Sequence, residues 1–275
     1  MELGKAKTIL IALFAALNVF LLVNIFTYST DKVSEKTISH AVQTLEQRGI
    51  KVDCTIPRTA SDPGRLAFSS YKFDIKKTAA IFMDKVNIPE TADYNQKITQ
   101  GAKTLAFMQE NYLAYSDSNP QATINISQKS EIIKYIKGII NKLGLDSEEY
   151  VLDSYSLRNG MVQAVYYEKY KDYLVYDSFI KVSISGKGLT SLECEVRKPT
   201  EMAVSKNKKI ISAYQILLKD YIQAGKLTIT GIDMGYKEYS REEGSREIYS
   251  GPVWRISSSD SSVHYFSIYD GQPVF

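Results

Sequence analysis

Between Thr8 and Thr30 the chain carries no charged side chain. This run of 23 residues, TILIALFAALNVFLLVNIFTYST, constrains the fold more than any other feature. A helix needs about 20 apolar residues to cross a bilayer core. A water-facing helix of that length would carry a polar stripe, and none interrupts this one. The run therefore predicts a transmembrane anchor, with residues 1–30 as cytoplasmic stub and membrane helix. Lys5 and Lys7 precede it, while residues 31–36 mix both signs. Positive charge stays on the cytoplasmic side, which puts the N-terminus inside and everything after Tyr28 outside. The competing reading is a cleaved signal peptide. Its apolar region would be roughly 7–15 residues and would end in a small-x-small site. Thr27-Tyr28-Ser29 makes a poor cleavage site, so the uncleaved anchor is the reading kept.

Within the anchor, Ala12, Ala15, Ala16, Val19 and Val23 share one helical face, with Asn18 beside it. Small residues let a second helix approach closely, and an Asn can hydrogen-bond across the pair. Two readings stand. Ala12, Ala15, Ala16 and Asn18 are candidate contacts with a partner helix, or they are the ordinary alanine content of a membrane span.

The rest of the chain is a different material. Taking Glu2, Lys5 and Lys7 from the totals of 34 basic and 31 acidic residues leaves 32 and 30, near neutrality. No clustered basic footprint speaks for nucleic acid. The two His (His40, His264) and two Cys (Cys54, Cys194) are too few for a zinc cluster unless all four converge. They also exclude a disulfide-dense scaffold. Tyr outnumbers Phe by 20 to 10, a bias suited to strands whose rings pack while their hydroxyls meet water.

Period-3.6 patterns predict helices over 34–48, 74–86, 127–143 and 205–224, with Asp74 and Ser127 as caps and Gly49, Gly144 and Gly225 as stops. Between them the period is two. Residues 50–56 form a strand ending at Pro57, 105–115 hold one or two strands, and 150–196 read as an antiparallel meander turning at Asn159-Gly160 and Gly186-Lys187-Gly188. Leu227 and Ile229 are out of phase with Ile232, Met234 and Tyr236, so a β-bulge is expected near Gly231. Residues 241–251 read as a polar loop. A final hairpin over 253–257 and 263–269 is followed by a short terminal strand. The predicted class is α+β: one transmembrane helix, then two packed α+β units with antiparallel sheets, at 31–126 and 127–275.

The chain offers no legible catalytic set. His264 sits in a strand and His40 beside a core position, both read as solvent-facing rather than as bases. The pairs Glu148-Glu149, Glu193/Glu195 and Glu242-Glu243 do not oppose one another as a glycosidase pair must. Cys54 and Cys194 fall at inward phase, as small hydrophobes or as a disulfide. Neither cofactor nor metal is expected. Two classes remain, a binding or regulatory module and a cell-surface enzyme or ligand-binding protein of unfamiliar type. The shortage of His, Cys and facing acids favours the first.

Several segments, in this order, resemble the YycH/YycI family of membrane-anchored regulators. They are Lys5–Ile11 running into an apolar stretch with Asn18, the segment Ile38–Ile50 followed by a strand and Pro57, Leu105-Ala-Phe with Tyr112-Leu-Ala-Tyr115, Ile229–Tyr236, and Pro252-Val-Trp254-Arg-Ile256 with the strand and Gly271 that follow. The last hairpin is also similar to small PepSY-type units. The resemblance implies a non-enzymatic protein that modulates an essential sensor histidine kinase of the WalK/YycG type. That kinase belongs to a two-component system controlling cell-wall metabolism. The resemblance further implies a YycH-like anchored partner and contacts between transmembrane helices. The body would then lie outside the cell membrane.

Overall fold

The computed structural model describes residues 7, 10–21, 33–58, 61–84, 93–203, 210–221, 226–238 and 249–275. The elements are α+β, with mostly antiparallel pairing. Helix α1 covers residues 10–21. The remaining elements fall into two compact units, each described by itself.

The terminal unit takes residues 1–62, 206–233 and 255–273. Helix α2 (Glu35–Gln47) starts where Ser34 Oγ accepts the Thr37 amide at 3.1 Å. It ends before Gly49, whose φ of 81° only glycine adopts without strain. Strand β1 (Ile50–Val52) then pairs in parallel with β11 (Leu227–Glu238), Ile50 opposite Leu227. Helix α5 (Ala213–Asp220) opens with a capping box, Ser212 and Gln215 satisfying each other's amides. Arg48 ties the two helices by donating to the Leu218 carbonyl at 2.7 Å. Strands β12 (Tyr249–Ser258), β13 (Val263–Ser267) and β14 (Pro273–Val274) complete the sheet. Leu45, Ile50, Ile216, Leu217, Ile229, Ile256 and Ile268 are fully enclosed.

The central unit takes residues 63–205, 234–254 and 274–275. Its main sheet runs β6 (Tyr150–Arg158), β7 (Met161–Tyr170), β8 (Tyr173–Ser185), β9 (Gly188–Glu195), β5 (Tyr112–Asp117), β4 (Lys103–Gln109), β3 (Lys97–Gln100), every neighbouring pair antiparallel. Asn159 and Gly160 turn the first hairpin with φ of 52° and 73°. A second arm carries β2 (Arg65–Ser69) between β10 (Lys198–Ala203) and the start of β12, and β11 pairs in parallel with β8. Helices α3 (Ile75–Phe82) and α4 (Lys129–Lys142) share one core with Leu105, Leu113, Val162, Ile180 and Leu192. Ile132, Ile136 and Ile140, one stripe of α4, have no exposed surface.

Several expectations need correction. The division at 126/127 remains a proposal; by contacts the chain groups as residues 1–62, 206–233 and 255–273 and residues 63–205, 234–254 and 274–275. Parallel pairing joins β11 to β1 and to β8, where only antiparallel strands were expected. Ser127 is not the cap of α4; Gln128 occupies that place without a side-chain bond. Helix α5 begins at Ala213, not near 205, since the Ile211 amide is spent on the Ile268 carbonyl at 2.7 Å. Strand β1 stops at Val52, leaving Cys54 half-buried rather than inward, and both cysteines are free thiols. Residues 249–251 are strand rather than loop, while 241–248 lie outside the described residues. The β-bulge expected near Gly231 remains a proposal, since the register of β11 against β1 covers 227–229 and that against β8 covers 235–236.

Candidate functional site

Helix α1 carries the predicted contact positions. Ala12, Ala15, Ala16 and Asn18 all lie on it, and all four are exposed. So are its large apolar side chains, from Leu10 at 71% and Phe14 at 66% to Val19 at 60%. A helix whose apolar residues are bared all round lacks the single buried stripe of a globular helix. Among the described residues, no helix is long and apolar enough to cross a membrane. Residues 8–9 and 22–30 of the expected span lie outside the described residues.

Sequence reasoning missed a buried polar cluster in the central unit. Between β7 and β8 the register jumps: Tyr167 faces Phe179, but Glu168 faces Val175, so Tyr176, Asp177 and Ser178 bulge out of step. The bulge brings Ser178 Oγ to within 2.5 Å of Glu168 Oε2, to which it donates. The same Oγ accepts the Arg197 amide at 3.1 Å. Lys198 Nζ bridges Glu168 at 3.5 Å and Glu149 at 3.0 Å. Burial pushes the Glu168 carboxyl up from the usual carboxylate range, against the pull of Ser178 and Lys198. Burial, with Cys194 and Glu168 nearby, pushes the Tyr71 hydroxyl up to about 12. It pushes up the Cys194 thiol too, which leaves that sulfur protonated and unreactive. Alongside, Arg197 pairs with Glu195 at 3.0 Å and Glu238 at 2.6 Å, so Glu195 is not the free solvent-facing acid expected. The network sets Lys198 and Arg197 among four carboxylates, Glu149, Glu168, Glu195 and Glu238.

A cleft of about 580 Å³ opens between α3, α4 and residues 117–122 of the same unit. Its floor includes Phe82 stacked on Tyr115 at 4.5 Å. Buried Asp117 accepts the Asn119 amide at 2.9 Å and the Tyr115 hydroxyl at 3.4 Å. Lys103 answers Asp84 at 2.8 Å on the rim. Asp84, Lys103, Asp117 and Lys142 are the charged residues of its lining. His40 and His264 are both exposed, and the His264 ring meets the Tyr221 ring edge-on at 6.4 Å. Among the described residues, no three His, Cys, Asp or Glu side chains converge as a metal site.

The model of the YycI family, described as "YycI protein", matches residues 28–269. The chain belongs to the YycI family. The match begins at the end of the apolar run, so the anchor rests on its own residues. Among curated proteins, none matches the sequence. Among solved structures, an uncharacterized protein from Eubacterium rectale superposes with a TM-score of 0.50 at 10% identity, covering 82% of this chain and 91% of that one. That likeness is one of fold. The Bacillus megaterium YpeB C-terminal domain gives 0.39 at 10% identity over 89% and 96% of the two chains. YycH from Bacillus subtilis gives 0.43 at 14% identity, with 76% of this chain aligned to 55% of that one.

Proposed function

We propose that this chain is a membrane-anchored regulator, not an enzyme, that modulates a sensor histidine kinase of the WalK/YycG type together with a YycH-like anchored protein. The observation that carries the reading is membership of the YycI family over residues 28–269. The run from Thr8 to Thr30 supplies the anchor, with the N-terminus cytoplasmic and the body outside the cell membrane. Ala12, Ala15, Ala16 and Asn18 form the contact face for a partner helix, because small side chains permit close backbone approach in lipid. Helix α2 begins at Glu35, shortly after the anchor, so a shift in the body has a short route to the membrane.

Exchanging residues 8–28 for an unrelated membrane helix tests this. The exchanged chain should reach the membrane at normal abundance and lose its effect on kinase-dependent transcription. Full retention of regulation would refute contact through the anchor.

A further inference from the structure

The cleft between α3, α4 and residues 117–122 holds an unmatched charge. Phe82, Tyr115, Asp117, Ile139 and Leu189 all line it, and each keeps only 6–7% of its surface exposed. Four of the five are apolar or aromatic, and the other is a carboxylate. A buried charge is ordinarily matched by an opposite one. Among the described residues, no Lys, Arg or His pairs with Asp117. Its cross-strand neighbour is Lys103, but the Lys103 ammonium is bound to Asp84 at 2.8 Å. The Asn119 amide occupies Asp117 Oδ1 at 2.9 Å. Oδ2 accepts the Tyr115 hydroxyl at 3.4 Å, stretched beyond the usual range of about 2.5–3.0 Å.

The last turns of both helices border the same cleft, through Ile81 and Phe82 in α3 and Ile139 and Lys142 in α4. A helix C-terminus carries a partial negative charge. Lys142 offsets it in α4, whereas α3 has no basic residue in its last turn. Gln100, also in the lining, is already engaged with the Asp84 amide at 2.9 Å and the Asp84 carbonyl at 2.5 Å. The strap over residues 118–122 is fixed in place. Its Ser118 amide donates to the Ala102 carbonyl at 3.1 Å, and its Ala122 amide to the Lys187 carbonyl at 2.7 Å. A preformed wall lowers the ordering cost of binding. The volume of about 580 Å³ is that of a small-molecule site.

A buried carboxylate without a cation, beside an uncompensated helix end, calls for a positive group. A guanidinium fork uses both carboxylate oxygens, and here one is taken. An ammonium is a point charge that needs a single free acceptor. Phe82, Tyr115 and Tyr135 make the surroundings suited to an apolar body.

We propose that this cleft binds a small primary amine with an apolar body, its ammonium donating to Asp117 Oδ2 and its body resting against Tyr115, Tyr135 and Ile139.

Calorimetric titration of the full chain in nanodiscs, with empty nanodiscs as the blank, tests the proposal. The probes are phenethylamine, its neutral analogue phenethyl alcohol, the anion phenylpropionate, and N-acetyl-lysine amide. Phenethylamine should give saturable heat, the alcohol should bind about tenfold more weakly or less, and the anion should give none. Asp117→Asn keeps an acceptor for the Asn119 amide and removes the charge. It should weaken phenethylamine about tenfold or more and leave the alcohol unchanged. Lys134→Ala, on the exposed side of α4, should alter neither. Thermal melts show whether each variant is folded. If Asp117→Asn does not fold, the contrast between amine and alcohol in the parent chain decides. Absence of saturable heat with millimolar phenethylamine overturns the proposal, as does equal binding of the alcohol. Undiminished amine binding by folded Asp117→Asn overturns it too. Tighter binding of N-acetyl-lysine amide than of phenethylamine would also overturn it, by assigning the cleft to a lysine side chain of another protein.

Discussion

In the central unit, most strands pair with their neighbours in sequence; in the terminal unit, β1 pairs with a strand about 175 residues away. The first arrangement is assembled from hairpins with tight turns, each closing a short loop. The second must close most of the chain before Ile50 meets Leu227, and pays that entropy before any contact forms. Both units contain a helix followed by a strand, but only the terminal unit draws its two helix–strand pairs, α2–β1 and α5–β11, from separate parts of the chain. Strand β11 serves both units, so a single strand offers a direct comparison of their tolerance.

The largest expected effect uses that strand. A Cβ on Gly235, in the central unit, would lie 2.5 Å from the Leu174 carbonyl oxygen and 2.6 Å from the Tyr176 ring. Gly235→Ala must therefore open the parallel β8–β11 pairing, at a cost of about 3 kcal/mol, the upper range for overpacking. A Cβ on Gly231, in the terminal unit, would meet nothing nearer than Ser257 Cβ at 3.6 Å. Gly231→Ala should be neutral or gain about 0.5 kcal/mol from a less free unfolded chain. Urea unfolding of both variants measures this contrast. Equal effects would show that β11 is held alike in both units.

A smaller effect distinguishes the central unit by pH. The folded Glu168 carboxyl sits above its unfolded value because of burial. Its contribution is then fully present below the unfolded carboxylate pKa and is lost as pH rises through the folded one. Glu168→Gln keeps the shape and removes the titration. Its stability relative to the parent should improve as pH rises from about 4 to 7. A difference that stays flat with pH would mean that Lys198 and Ser178 fully offset the burial. In the terminal unit, Ser212→Ala should lose about 1 kcal/mol, because the capping box of α5 is at the surface.

Legibility in the sequence follows the same contrast. The meander was readable because alternation and the Asn159-Gly160 turn act locally. The start of α2 was equally plain, from Ser34 and the stripe through Ala41 and Leu45. The partnership of β1 with β11 was not readable, since no local pattern encodes a partner so distant. Sequence period also overran α5, because Ile210 and Ile211 continue the stripe although the Ile211 amide is bound to Ile268. A signal for the polar cluster did exist. Glu168 follows Val162, Ala164 and Tyr166 in phase, and Ser178 precedes Ile180, Val182 and Ile184 in phase. A carboxylate at an inward position needs a partner, and here Ser178 and Lys198 supply one. Ala12, Ala15, Ala16 and Asn18 were legible as one helix surface, while their partner is absent from any single-chain pattern.

The most direct measurement places single cysteines along α1 in a chain whose Cys54 and Cys194 are replaced by alanine, and cross-links them in membranes holding the kinase. Cysteines at 12, 15 and 16 should join the kinase's membrane helices, and cysteines at 10, 17 and 21, on the opposite face, should not. Cross-linking that is absent throughout, or equal around the helix, would contradict regulation through this contact face.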